Sequence, residues 1–335
     1  MLTGFLIVAI AGFMQGTFVL PMTLTRNWRW EHTWFTFSVI GMFLFNWIIG
    51  LAVIPHLIFG LQSAPLSTVT ILAVFGLGWG VGALLFGVGM ERLGMALGYS
   101  VIMGLVACLG ALVPLSIFSP HQLVTAKGGL LLAGTALVVA GIALCSLGDL
   151  HKQAHSNNQG GARRQGFAIA LFIAIMAGIL SCLPNVGVAF GQPVVHAVIT
   201  TGASSRTAPS AIFVLFFTAG GIVNCVYCLW LMLRRRTFAG YLNSDTARNT
   251  LYAALMAFFW IGSFHLYGVG SRLIGAWGVV VGWPLFICIS IGTGIFWGLA
   301  KGEWKNAPPP ARRIRNAGIL FLFLAIAAIS LSGRM

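Results

Sequence analysis

Apolar runs of bilayer-crossing length recur from one end of this chain to the other, separated by short polar gaps. In lipid there is no water to satisfy backbone N–H and C=O groups. A crossing segment must therefore pair them within itself or within a closed barrel. The period-two alternation of barrel strands is absent from these runs, which leaves helices. Ten spans are expected, over residues 2–22, 30–54, 66–90, 93–118, 127–148, 166–190, 208–233, 249–269, 273–299 and 313–333. With 59% of residues hydrophobic and 7% charged, the chain cannot cover a water-facing surface, which excludes the soluble classes. The first run, Met1 to Leu20, has neither a basic start nor a small-residue cleavage site, and it reads as a retained helix. The expected fold is an all-α membrane protein of ten transmembrane helices.

The net charge of +14 would suit a nucleic-acid partner if the basic residues were clustered. They sit instead in the gaps between apolar runs, which points to membrane lipid and topology and away from nucleic acid. Fifteen Lys and Arg follow the odd-numbered spans, among them Arg26, Arg92, Lys152, Arg163, Arg164, Arg235 and Lys301. Four, Lys127, Arg206, Arg272 and Arg334, fall on the opposite side. By the positive-inside rule the odd-numbered loops are cytoplasmic and both termini face outward. All six cysteines lie within apolar runs and read as packing residues, Cys225 and Cys228 included despite their redox-motif spacing.

The polar stretch His151 to Gln165 divides the chain into a first five-helix repeat (1–150), a cytoplasmic linker (151–165) and a second five-helix repeat (166–335). A short phrase recurs in the two halves. It runs Trp79, Phe86-Gly87-Val88-Gly89, Arg92-Leu93-Gly94 in the first, and Trp260, Tyr267-Gly268-Val269-Gly270, Arg272-Leu273 with Gly275 in the second. Each copy is expected to end one span and open the next. Because five is odd, the second half enters the membrane upside down relative to the first, giving a 5+5 inverted repeat. Transporters built this way bind solute near the midplane, between the halves and beside broken helices. Pro21 and Pro184 would break spans 1 and 6 at related points.

Acidic residues are scarce: Glu31, Glu91, Asp149, Asp245 and Glu303. Asp149 and Asp245 fall in basic loops and read as solvated; Glu91 reads as the partner of Arg92, and Glu303 as structural. Glu31 stands apart, within Trp28-Arg29-Trp30-Glu31-His32-Thr33-Trp34 at the start of span 2. A carboxylate at such a low-dielectric edge is suited to taking and releasing a proton, and nearby aromatic faces such as Trp34 suit the apolar face of a sugar ring. An aromatic belt with an interfacial charge gives the same pattern. His265 is the second candidate proton carrier, since imidazole titrates near neutral pH; a packed, hydrogen-bonded histidine is the alternative.

Deeper in the spans lie Gln15, Asn46, Asn224 and Ser263. Amides both donate and accept, which matches the hydroxyls of a neutral solute, although helix–helix hydrogen bonding uses the same residues. Gly220, Asn224 and Tyr227 share one helical face; Trp260, Ser263, Phe264 and Tyr267 share another. No metal-ligand cluster, nucleophile elbow or pair of membrane carboxylates appears, so neither a cofactor nor an enzyme activity is expected.

Taken in order, several segments resemble the L-rhamnose–proton symporter (RhaT) family of the drug/metabolite transporter superfamily. They are Arg26-Asn27-Trp28-Arg29-Trp30-Glu31 with Trp34; Phe75-Gly76, Trp79-Gly80 and Gly82; Gly87, Met90, Leu93-Gly94-Met95 and Gly98; Gly220-Gly221 with Asn224 and Cys228; Trp260, Phe264 and Tyr267; and Glu303-Trp304 with Asn306-Ala307. The resemblance covers essentially the whole chain. It implies a five-plus-five inverted repeat and proton-coupled uptake of a sugar, L-rhamnose or a related monosaccharide, by alternating access. Glu31 and His265 would couple protons. Gln15, Trp34, Asn46, Trp79, Asn224, Tyr227, Trp260, Ser263 and Tyr267 would line the sugar site. The chain departs from the family pattern where Ala83 and Leu85 replace asparagines after Trp-Gly-x-Gly and Ser263 replaces a glutamine, which leaves the sugar open. An exporter of small amphipathic metabolites is the alternative transport reading; a membrane enzyme or structural subunit is the alternative outside transport.

Overall fold

The computed structural model describes residues 1–93, 95–156, 167–302 and 304–332, without the side chains of 91, 93, 95–97, 100, 153–156 and 167. Glu303, Arg334 and linker residues 157–165, with Arg163 and Arg164, lie outside the described residues, as does the Glu91 side chain. Among the described residues there is no strand, and ten helices are long and apolar enough to cross a membrane. They are α1 Leu2–Leu24, α2 Trp30–Val53, α3 Leu66–Met90, α4 Val101–Phe118, α5 Ala126–Lys152, α6 Ala168–Phe190, α7 Ser210–Arg235, α8 Thr246–Ile274, α9 Gly278–Ala300 and α10 Pro309–Ser332.

The boundaries follow the sequence reading closely, with an instructive difference at α8. The Tyr267-Gly268-Val269-Gly270 phrase was expected to close that helix, yet it lies inside it. Its glycines serve packing. A Cβ on Gly270 would sit 2.7 Å from Val8 Cγ2 and 3.0 Å from the Gly4 carbonyl oxygen, so their absence lets α1 and α8 touch backbone to backbone. The helix ends instead at Gly275, whose φ of +104° a side chain would resist. Three other spans are irregular. α1 finishes in a 3₁₀ segment, Leu20–Leu24, that holds Pro21, and α6 is interrupted at Cys182, just before Pro184. α2 carries a π-helical stretch at Val39–Phe45, a form that leaves carbonyls looking for new partners.

The chain forms two compact units, and each takes segments from both halves of the sequence. Unit 1 is Met1–Val81 with Gly187–Gly275. It holds α1, α2, α3 up to Val81, α7, α8 and the short helices Leu57–Ser63 and Gln192–Thr200. Its core is aromatic, with Phe37, Phe213, Phe216, Phe217 and Tyr267 fully buried. α3 and α7 cross at glycines: a Cβ on Gly80 would lie 2.7 Å from the Gly220 carbonyl oxygen.

Unit 2 is Gly82–Val186 with Ala276–Met335. Two contacts organise it. The first is a seam between α5 and α10, where Gly134, Gly141 and Gly148 recur every seven residues and so form one stripe on α5. A Cβ on Gly141 would meet the Gly318 carbonyl oxygen at 3.0 Å, and one on Gly148 would meet the Ala311 carbonyl oxygen at 3.0 Å. Apolar burial gives helices in lipid little reason to associate, so such close approach supplies much of the attraction. The second is Asn185. Pro114 has no N–H to offer the Gly110 carbonyl one turn back, and Asn185 Nδ2 donates to that oxygen at 2.6 Å and to Val279 O at 2.9 Å. One amide thus ties α6 to α4 and α9.

Candidate functional site

Residues proposed from sequence for solute and proton binding fall in unit 1, and most of them meet in its core. Trp79 from α3 stacks on Trp260 from α8, ring centroids 5.5 Å apart and planes 26° from parallel. Phe217 lies edge-on to Trp260 at 4.7 Å, Phe37 at 5.4 Å and Phe264 at 5.2 Å. Trp34 joins through Phe37, centroids 5.1 Å apart. Four helices therefore deliver one aromatic group, and each offset or edge-on pair adds about 0.5–1.5 kcal/mol beyond the burial itself.

Amides and hydroxyls border these rings. Trp34 Nε1 donates to Asn224 Oδ1 at 2.9 Å, while Asn224 Nδ2 donates to Gly220 O in its own helix at 3.0 Å. Ser263 Oγ lies 2.7 Å from Gln15 Oε1 and 2.6 Å from Trp260 O. A single hydroxyl proton serves only one acceptor; turning the Gln15 amide over brings Nε2 to donate and completes both bonds. Asn46 directly follows the π-helical stretch, and its Nδ2 faces the carbonyls of Met42 at 3.1 Å and Phe213 at 3.1 Å. Its Oδ1 lies 3.0 Å from His265 Nε2. Since the carbonyls hold the Asn46 amide in this sense, His265 donates from Nε2 and its Nδ1 is a bare acceptor. That Nδ1 is buried and has no hydrogen-bond partner.

Two predicted site residues stand elsewhere. Tyr227 is half-buried, and its ring meets Trp230, 5.8 Å away and itself 48% exposed, so the aromatic group does not include it. Tyr267 is fully buried one turn beyond Ser263.

Glu31 belongs to a different part of unit 1. It occupies the first turn of α2, where the helix dipole favours a carboxylate, and is 1% exposed. Its Oε2 is 3.4 Å from Arg235 Nη1 and its Oε1 is 3.3 Å from Thr237 Oγ1, both long contacts. Around it is a polar network that the sequence reading did not identify. His32 Nδ1 accepts the Arg29 N–H at 3.1 Å, so its Nε2 carries the proton and donates to Thr237 O at 2.7 Å. Burial pushes the Tyr241 phenol up, and its hydroxyl donates to His32 O at 3.1 Å. Asn249 exchanges two bonds with the Arg26 backbone, at 3.2 and 2.7 Å. Asp245, expected to be solvated, pairs with Arg248 at 2.6 Å and accepts from Asn27 at 2.7 Å. The segments 26–36 and 235–249 are thereby laced together at this end of unit 1. The one sign in the sequence was the clustering of polar residues beside Trp28 and Tyr241.

Among the described residues no three His, Cys, Asp or Glu side chains gather as metal ligands. The aromatic group sets flat apolar faces beside amides that both donate and accept, in a core where Trp79 is 8% and Trp260 4% exposed.

The family model described as L-rhamnose-proton symport protein (RhaT) matches residues 1–334. The chain is similar to the L-rhamnose-proton symporter of Yersinia pestis (strain Pestoides F), with 23% identity over 321 residues covering 94% of this chain and 93% of that one. It is similar also to the L-rhamnose-proton symporter of Escherichia coli (strain 55989 / EAEC), with 23% identity over 317 residues covering 92% and 91%.

Proposed function

The chain belongs to the L-rhamnose-proton symport protein (RhaT) family, and from that premise we propose that it carries L-rhamnose or a related monosaccharide across a bilayer together with protons. It is a multi-pass membrane transporter and not an enzyme. The observation that carries the sugar reading is the stacked Trp79–Trp260 pair bordered by Asn224, Gln15 and Ser263. A sugar ring has C–H faces that lie on indole and hydroxyl edges that bond to amides. Gln15, Trp34, Asn46, Trp79, Asn224, Trp260 and Ser263 form the sugar site in this reading, with Tyr267 behind them and Tyr227 outside the group.

His265 and Glu31 are the proton carriers. The bare Nδ1 of His265 is the open proton site, and the bond to Asn46 links a change in its charge to the π-helical stretch of α2. A neutral Glu31 releases Arg235, which loosens the network joining segments 26–36 and 235–249. The 5+5 inverted repeat, the bacterial inner membrane and periplasmic termini complete the reading, the last supported by the lopsided Lys and Arg count.

Counterflow tests the assignment. Liposomes holding the purified protein and loaded with unlabelled L-rhamnose are expected to accumulate labelled L-rhamnose transiently, with 6-deoxy sugars as the strongest competitors. If no monosaccharide in a panel of deoxy sugars and hexoses gives counterflow, the sugar assignment is wrong.

A further inference from the structure

Unit 2 contains a cavity of about 220 Å³ that the proposed transport site does not use. It opens between α5, α9 and the facing ends of α3 and α4. Ile142, Ser146 and Asp149 line it from one face of α5, and Ile291, Gly294 and Ile295 from one face of α9. Tyr99 and Trp304 complete the wall. The volume matches about seven waters at ~30 Å³ each, enough for one small ring with its substituents. Asp149 was expected in a solvated loop. The α5 helix in fact continues to Ser156, which keeps Asp149 in register with Ser146 on the cavity face.

The charges around the cavity decide what it takes. Lys152 Nζ is 3.1 Å from Asp149 Oδ1 and lies 4.6 Å from the centre of the Trp304 ring. The Arg315 guanidinium is 4.6 Å from the same ring. Neither of these lines the wall: a cationic solute finds Asp149, the one charged side chain among the described lining residues, already paired with Lys152. An anionic one meets Asp149 and gives up its hydration against isoleucine walls. An uncharged solute with apolar ring faces and hydroxyls at its edge meets no such penalty. It gains acceptors and donors at Asp149, Ser146 and Tyr99.

We propose that this cavity is a second binding site for a neutral monosaccharide, distinct from the aromatic group of unit 1, with Asp149 as its polar anchor. The proposal rests on the sugar-transport reading above. The wall ends of α3, α5 and α9 adjoin Arg92, Lys152 and Lys301, the side that the positive-inside pattern assigns to the cytoplasm.

Gly294 offers a clean test, because a Cβ built there meets no atom within 4 Å. Leucine at that position is aimed at filling the cavity, since Gly294 itself lines it, and it favours the helix more than glycine does. The full-length protein in detergent is titrated with L-rhamnose by calorimetry, beside its counterflow activity. Wild type is expected to show two binding components and Gly294→Leu one. Asp149→Asn, nearly isosteric, is expected to weaken that component by about 10- to 100-fold through loss of a charged hydrogen bond. It keeps the proposal testable should Gly294→Leu fail to fold. An unchanged two-component isotherm in both variants, with wild-type counterflow intact, overturns the second site alone. Wild type that neither binds nor exchanges any monosaccharide overturns the transport reading with it. Displacement by choline in preference to the sugar also overturns the proposal.

Discussion

His265 Nε2 and Asn46 Oδ1 lie 3.0 Å apart, and this bond fixes where the next proton on the imidazole must go. The Asn46 Nδ2 is committed to the carbonyls of Met42 and Phe213, so its oxygen faces the histidine. The remaining ring nitrogen, Nδ1, is buried without a partner. Protonating it creates a charge inside an apolar core, which the surroundings must answer by moving or by admitting a hydrogen-bonding group. That is the property a coupling residue needs. His265→Gln keeps an amide donor toward Asn46 and removes the second proton site. Proton-driven accumulation in liposomes is expected to be abolished while sugar counterflow persists. Full accumulation in this variant would remove His265 from the coupling scheme.

Glu31 makes a parallel prediction at the other end of α2. Its contacts to Arg235 and Thr237 are long, and Arg235 is half-exposed, so the carboxylate is held but not locked. Glu31→Gln mimics the protonated form. Uphill uptake driven by a pH gradient should disappear and exchange without a gradient should continue. Intact proton-driven uptake would show that Glu31 is structural.

The Trp34–Asn224 bond joins α2 to α7 beside the aromatic group. Trp34→Phe keeps the ring surface and removes the N–H, leaving Asn224 Oδ1 buried and unpaired. Thermal unfolding should report a loss of about 1–3 kcal/mol. L-rhamnose binding should weaken as well, since the Asn224 amide is then free to turn. A stability equal to wild type would mean that another donor already serves Asn224.

Asn185 tests the account of unit 2. Asn185→Leu should destabilise the protein by about 1–3 kcal/mol, because the Gly110 carbonyl that Pro114 leaves open loses its donor. Pro114→Ala supplies an N–H one turn along α4. In the double variant part of the loss should therefore return, read as a coupling energy in a double-mutant cycle. Strict additivity would contradict the pairing of these two residues.

The ten spans were readable because length and hydropathy belong to each segment alone. Helical spacing likewise collected Trp260, Ser263 and Phe264 on one face, and there Trp260 meets Phe264 edge-on and Ser263 meets Gln15. Tyr227 shows the limit of that reasoning. Its spacing from Gly220 and Asn224 was right, but what stands opposite a helix face one turn further on is decided by other segments, and there it is Trp230. The Asn249 clasp on Arg26 and the Asn185 bridge were invisible for the same reason: each joins residues at least 75 positions apart through a single amide. Asp149 misled because a basic loop and the last turns of a long helix look alike in composition. The glycine phrase around Tyr267 misled because glycine serves both helix ends and close crossings, and only the neighbouring α1 distinguishes them.

Coupling of sugar to protons is the central claim, and a pH electrode tests it most directly. L-rhamnose is added to lightly buffered proteoliposomes with no imposed gradient and with counter-ion movement permitted. The account predicts that the outside medium becomes alkaline as protons follow the sugar inward, and that Glu31→Gln and His265→Gln abolish the signal. Sugar entry with no change in pH, or with acidification of the medium, would contradict it.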